Sequence, residues 1–302
     1  MKSTLLILIS LLLLSLSNEK SYYKTNFLKG KIASLEESTY FVNELGEKTK
    51  FLMTQSIYKF DSLGVLQEET NVTSKGTDFT RKIYANDAEG KVLQIEFYAK
   101  HGKLDKKQTF FYDKKGNCIR TYFYKADGKT ISEKNAYKFD KNNNEIEFIK
   151  FAEDTTKIIT KTTNKYDAKN NKIETTIFKP DLKSVNAIEK IKYDKDGNMI
   201  EYIGLNDKGI QHKKIQYKYD NDKNIIEYKG YKGPESTLIL WTKSKFDNNH
   251  NCIETLFLNI EEKVEETNSY EYTYDKTGNW IKQKRSTNGG LNQIIERKIS
   301  YF

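Results

Sequence analysis

The 302-residue chain is short of the residues that most often carry chemistry or staple a scaffold: two cysteines, two prolines and three histidines. Two cysteines exclude a disulfide-stapled scaffold and a cysteine-rich zinc module. Two prolines exclude a Pro-rich stalk or linker. His101, His212 and His250 are scattered, lie at or near expected turns and have no acid–nucleophile pattern beside them. Apolar residues make up only 37% of the chain, against ~45–50% in ordinary globular domains counted with glycine. That is too few for one thick core. Beyond the N-terminus there is no long apolar run, so the remainder is either a chain that lives in water or a β-barrel. No G-x-S-x-G, P-loop, H-E-x-x-H or dinucleotide fingerprint occurs.

Aromatic residues are abundant instead. Twenty-one Tyr and 16 Phe are far too many for a disordered chain. Lys plus Arg number 51 against 42 Asp plus Glu, a formal net charge of +9. The lysines interleave with glutamates and form no Arg-rich stripe, which is the pattern of solvated faces. Met1 to Ser17 has the form of a secretory signal peptide. Lys2 is its positive start, Leu5 to Leu14 its apolar run, and Ser15-Leu16-Ser17 offers small residues for cleavage. The run is about half of the ~20 residues a membrane span needs. Export places the mature chain in the periplasm, at the cell surface or outside the cell, and disfavours nucleic acid as a partner.

A period of about 27 residues then fills the chain. Aromatic–Asp pairs recur at Asp61, Asp87, Asp113, Asp140, Asp167, Asp194, Asp220, Asp247 and Asp275, spaced 26 to 28 residues apart. Asn86 is the one non-aromatic residue before an Asp. Four residues after Asp comes Asn in seven copies, Asn117 through Asn279. Six residues after comes Leu93, Ile119, Ile146, Ile173, Ile200, Ile226, Ile253 or Ile281, with Gln67 in the first copy. Asp followed three residues later by Gly or Asn predicts a type I turn closed by a left-handed residue and a G1 bulge. Lys223 and His250 must hold that left-handed position at a cost. A second turn is expected at Gly76, Gly102, Gly128, Gly209 and Gly290, and Gly46 marks the second turn of a degenerate unit. Between turns, Ile215, Tyr217 and Tyr219 alternate with Lys214, Gln216 and Lys218, the period of half-buried strands.

The chain therefore reads as all-β: a repetitive antiparallel meander of about nine 27-residue two-strand units. Residues 58–302 hold the array, residues 18–57 one or two further strands from about Asn26, and residues 1–17 the signal peptide. About eighteen strands exceed the ~10 that an open twisted sheet tolerates. With an aromatic face to cover and no helices to cover it, the sheet must roll into a coil, tube or barrel, or fold over as a sandwich.

Tyr-Lys-Tyr-Asp at 217–220 and Tyr-Asp-Lys-Xaa-Gly-Asn at 193–198 and 274–279 resemble the YD, or RHS, repeats of bacterial cell-surface proteins. The resemblance covers residues ~58–302. It implies a coiled sheet of hairpin units, exported, in proteins of surface attachment, toxin encapsulation or carbohydrate binding. It supplies no catalytic residues.

Single features have plain readings beside their chemical ones. Asp194-Lys-Asp196-Gly197-Asn198 resembles the start of a calcium loop, but Met199 and Leu205 stand where such a loop needs Gly and an acid. Turn chemistry is the expectation, and no metal or cofactor is assigned. Cys118 and Cys252 share one column five units apart, about 48 Å along a flat meander, so two packed free thiols are expected. Glu147, Glu174, Glu201, Glu227 and Glu254 form a ladder that reads as cross-strand charge pairing rather than a hydrolytic carboxylate pair. The leading expectation is an exported, non-enzymatic β-repeat protein that binds or scaffolds at the cell envelope. Its partners would be a polysaccharide, stacked on exposed Tyr at unit edges, or another envelope protein. An outer-membrane β-barrel and an accessory to a glycan-active enzyme are the alternatives.

Overall fold

The computed structural model describes residues 28–73, 79–153 and 156–302. The signal-peptide assignment, Asn26 and Gly76 lie outside the described residues. Twenty strands are present among the described residues. The first five are β1 (Ile32–Val42), β2 (Lys48–Phe60), β3 (Leu66–Thr73), β4 (Phe79–Asn86) and β5 (Val92–Tyr98). Next come β6 (Leu104–Tyr112), β7 (Cys118–Tyr124), β8 (Ile131–Phe139), β9 (Glu145–Phe151) and β10 (Ile158–Tyr166). They continue as β11 (Lys172–Phe178), β12 (Val185–Tyr193), β13 (Met199–Asn206), β14 (Gln211–Tyr219) and β15 (Ile225–Lys232). The last are β16 (Thr237–Phe246), β17 (Cys252–Leu258), β18 (Val264–Tyr274), β19 (Trp280–Thr287) and β20 (Gly290–Tyr301). Each strand pairs antiparallel with the next, and β20 pairs back onto β1 from Tyr301–Ile32 to Gln293–Phe41. The meander is closed into a barrel, so it has no edge strand.

The Asp turns explain why the chain reverses where it does. In the turn after β12, the Asp194 N–H donates to the Asn198 carbonyl and the Gly197 N–H donates to the Asp194 carbonyl. The Asp194 carboxylate accepts from the Asp196 and Asn198 backbone N–H groups and from the Asn198 side-chain amide, at 2.8–2.9 Å. Gly197 has φ +81°, and Asn143, Asn170, Lys223 and His250 hold the same left-handed position at 63–65°. This is the type I turn with G1 bulge that the spacing predicts. At the other end of the strands, Gly46, Gly102, Gly128 and Gly209 are left-handed as expected. Gly290 is not. The β19–β20 reversal is a two-residue turn at Asn288 (φ 49°) and Gly289 (φ 82°), so Gly290 already belongs to β20. Asn-Gly at two consecutive positive φ positions is the tight hairpin turn that matches strand twist.

Following register partners shows how the sheet closes. Lys192 faces Glu201, and Glu201 faces Gln216. Gln216 is two residues further from its own Asp than Lys192 is. The same slip of two residues per two strands recurs from Lys138 to Glu147 to Thr163 and from Lys218 to Glu227 to Lys243. A slip of about one residue per strand is the ratio of an eight-stranded barrel with shear eight, whose strands tilt by ~36°. With 20 strands, a ~4.8 Å strand spacing and that tilt, the backbone diameter is about 38 Å.

Packing is local throughout. One buried cluster is Ile32, Leu35, Phe60 and Leu66, another Val92, Phe110 and Cys118, each drawn from neighbouring strands. Element contacts follow the ladder. With contacts following the ladder and the β1–β20 seam, the expected aromatic face is not covered by a second layer of the described residues. It curves around an open lumen.

Candidate functional site: the two walls of the barrel

Which face is inside follows from chirality. The backbone groups of Asp194 point toward β13, and so do those of Lys192, two residues earlier. In a strand of L-residues running upward, a side chain that faces the viewer has its own N–H and C=O on the right. Seen from the Lys192 side with the Asp turns at the top, chain order therefore runs left to right. In the same direction the register slips downward, away from the Asp turns. The left-handed rotation between adjacent strands makes barrel strands lean right as seen from outside, so partners descend from left to right only in the outside view. The Lys192 side is the outer wall.

That wall carries the Glu ladder. Lys138–Glu147, Lys165–Glu174, Lys192–Glu201 and Lys245–Glu254 pair across strands at 2.7 Å. Several of these glutamates are bracketed by a second cation, as with Lys161 on Glu147 at 2.6 Å and Lys214 on Glu201 at 3.3 Å. The flanking lysines hold the Glu147 and Glu201 carboxyls below the usual carboxylate range, against the burial that would raise Glu147 most. Lys138 and Lys165 remain 70% exposed. The chemistry is cross-strand charge pairing, with more cations than anions.

The inner wall is aromatic and aliphatic near the Asp turns. The aliphatic column six residues after each Asp is a ring of bulge residues. Lys192 faces Glu201 and Tyr193 faces Met199, which leaves Ile200 as the extra residue. Ile119, Ile146, Ile173 and Ile253 are extra in the same way and are each 37% exposed. The tyrosines beside them are tethered. Tyr193, Tyr166, Tyr219 and Tyr112 donate their hydroxyls to the backbone carbonyls of Lys172, Glu145, Met199 and Val92, at 2.7–2.9 Å. Asn86, the exception to the aromatic column, does the same job by donating its amide to the Leu66 carbonyl at 3.0 Å. Burial pushes Tyr166 and Tyr217 up to about 12. The Tyr before each of these Asp residues is thus a structural tie between neighbouring hairpins. Further down, the inner wall holds its own ion pairs: Lys82–Glu69, Lys150–Glu133 and Arg297–Glu37 at 2.5–2.9 Å.

The Asp turns stack into a rim. Asn117 donates to Asn143, and Asn142 and Asn144 donate to Asn170, at 2.9–3.1 Å. Where a tenth turn would stand, Lys29 and Tyr301 complete the rim on Asn279. The hydrogen bond from the Asn198 amide does most to hold the Asp194 carboxyl below its ordinary range. Both oxygens of the Asp194 carboxylate accept from N–H groups of its own turn.

Cys118 and Cys252 are both free thiols. They sit on β7 and β17, ten strands apart in a ring of twenty, on opposite sides of the ring. Burial raises both thiols. The histidines are not brought together: His101 lies in the β5–β6 turn, His250 in the β16–β17 turn, and His212 in β14, with its ring against Gly204. Sequence reading missed a second ring of bulges at the far end, where Ile159, Asn186, His212 and Ile239 are the extra residues. They share a column eight residues before Asp but no residue type, so position alone could have signalled them.

No family model and none of the curated proteins matches the sequence. Among solved structures, the chain is similar to a porin-like protein of Bacteroides uniformis, at 10% identity, covering 90% of this chain and 99% of that one, with a TM-score of 0.39. It is similar to a porin-like protein of Bacteroides vulgatus at 11% identity, covering 90% and 98%, with a TM-score of 0.25. It is also similar to the Tc holotoxin pore of Photorhabdus luminescens at 12% identity, covering 91% of this chain but 17% of that one, with a TM-score of 0.32.

Proposed function

We propose that the chain is an exported, non-enzymatic protein of the cell envelope, built as a water-filled barrel that binds or scaffolds a partner. Closure, an even strand count and the strand tilt are the architecture of an outer-membrane barrel. The chemistry of the outer wall argues for water on both sides. A lipid-facing wall needs an apolar band ~25 Å tall, and each Lys at the bilayer midplane costs ~2–4 kcal/mol. Here the charge runs from Lys–Glu pairs at the Asp-turn end of the outer wall down to Lys161 and Lys214 at mid-strand, which leaves no apolar band of that height, and that single observation carries the reading. The lumen, about 25 Å wide once side chains are allowed for, admits an extended polymer or a helix. Its wall carries the tethered tyrosines near the Asp turns, with ion pairs below. The phased Asp turns also support placing the chain among YD-repeat proteins of the bacterial envelope.

Fractionation tests this reading. A tagged full-length chain should leave cells on osmotic shock or salt washing. Release by detergent alone would replace this reading with a membrane-spanning barrel.

A further inference from the structure

We propose that the end of the barrel opposite the Asp turns docks on a bilayer surface bearing anionic headgroups. The proposal rests on the outer-wall reading above, because a wall that faced lipid would leave no end to dock. Three outer-wall observations carry it.

The first is a girdle. At the far end of most two-strand units the outer wall turns from charged to apolar: Tyr124 faces Ile131, Phe151 faces Ile158, Phe178 faces Val185 and Tyr231 faces Leu238. The tyrosines, with an apolar ring and a polar tip, suit a membrane interface, and the phenylalanines add apolar area.

The second is a basic collar immediately behind that girdle. Lys107 lies over the Tyr124 ring at 4.6 Å, Lys134 over Phe151 at 4.6 Å and Lys214 over Tyr231 at 5.8 Å. The Lys107 and Lys134 ammonium groups lie against the rings themselves, so the positive charge sits at the inner edge of the girdle, at headgroup level, and Lys214 shares its charge with Glu201. The charge therefore complements an anionic surface just where the girdle would meet it.

The third is the hairpin tips. Leu45 is 83% exposed in the β1–β2 turn and Ile260 80% exposed in the β17–β18 turn. Ile210 and Leu182 are exposed at the β13–β14 and β11–β12 turns. Leu182 has φ 58°, where related turns use Gly128 and Gly209. A side chain pays for that conformation, and Leu182 remains 37% exposed there. An apolar tip is what the substitution provides. Isolated aliphatic tips, an aromatic girdle and a lysine collar form, in that order, the depth profile of an interfacial anchor.

Residues 18–302 would be mixed with phosphatidylcholine vesicles, with and without phosphatidylglycerol, and sedimented. The partner variant carries Leu45→Asp, Leu182→Asp, Ile210→Asp and Ile260→Asp together. Leu63→Asp, on the Asp-turn rim, is the control, and circular dichroism melts confirm that each variant folds. The expected result is sedimentation with the anionic vesicles, weakened by added salt, at least about tenfold weaker in the tip variant and unchanged in the control. A chain that stays in the supernatant with anionic vesicles, or a folded tip variant that sediments as well as the parent, overturns the proposal. A chain that needs detergent to remain in solution overturns the outer-wall reading, and the docking proposal with it.

Discussion

The turn account makes a paired prediction in which one substitution stabilises and its mirror destabilises. Lys223 and Gly197 occupy the same left-handed position in successive Asp turns, at φ 65° and 81°. A side chain there costs about 1–2 kcal/mol, while a glycine costs about 0.5–1 kcal/mol through the freedom it gains in the unfolded chain. Lys223→Gly should therefore stabilise the protein by about 0.5–1 kcal/mol. Gly197→Lys should destabilise it by a similar amount, and the effect is backbone strain alone, because a Cβ at Gly197 would meet nothing within 4 Å. The His250 position is less clean, since its ring Nδ1 lies 3.2 Å from Asn224 Oδ1. Urea unfolding followed by circular dichroism reads the effect. With a slope near 3 kcal/mol per molar, the midpoints should move up and down by about 0.2–0.3 M. The double variant should return near the parent, because the two turns share no partners. A Lys223→Gly midpoint below the parent's would refute the turn assignment.

Three further outcomes follow from the same geometry. Ser34 and Ser300 touch across the β1–β20 seam, their hydroxyls 2.6 Å apart. In a chain with Cys118 and Cys252 changed to Val, Ser34→Cys with Ser300→Cys should form a disulfide spontaneously and stabilise by up to about 5 kcal/mol, whereas an open coil would leave both thiols titratable. The Asp113, Asp167, Asp194 and Asp220 carboxyls are held low, chiefly by their partner Asn amides, so their stabilising effect is complete above about pH 4 and is lost as pH falls through their lowered values. A pH titration of the urea midpoint that stayed flat below pH 4 would contradict this. Tyr137, Tyr166, Tyr217 and Tyr274 are raised to about 12. Their ionisation in the unfolded chain should therefore erode stability from about pH 10 upward, and Tyr193→Phe, which removes the donor to the Lys172 carbonyl, should cost about 1 kcal/mol in the same unfolding assay.

Much of this architecture is written in the columns. Asp, the left-handed Gly or Asn, and the Asn one residue later make a turn that is entirely local, so Asp194 to Asn198 can be read without any tertiary knowledge. Alternation of Ile215, Tyr217 and Tyr219 with lysines likewise fixes which residues share a wall. It does not say which wall is inside. That depends on the hand of the slip between Lys192, Glu201 and Gln216, which is a property of pairs of strands. Closure is equally invisible. It needs Tyr301 to find Ile32 across the whole chain, and nothing in a 27-residue repeat counts to twenty. The role of the tyrosines was hidden for a related reason. A Tyr before Asp reads as one more half-buried strand residue, yet the carbonyl it ties belongs to the preceding hairpin. The far-end bulges at Ile159, Asn186 and His212 left no trace because a bulge demands a position rather than a side chain.

The central claim is a hollow barrel with water against both walls. Small-angle scattering from residues 18–302 in detergent-free buffer tests it most directly. A ring of wall about 38 Å across gives a radius of gyration near 22 Å, against about 19 Å for a compact chain of this length. Monodisperse scattering near 22 Å is the expected result. A value near 19 Å would mean that the sheet has collapsed into a sandwich, and aggregation reversed only by detergent would mean that the outer wall belongs in lipid.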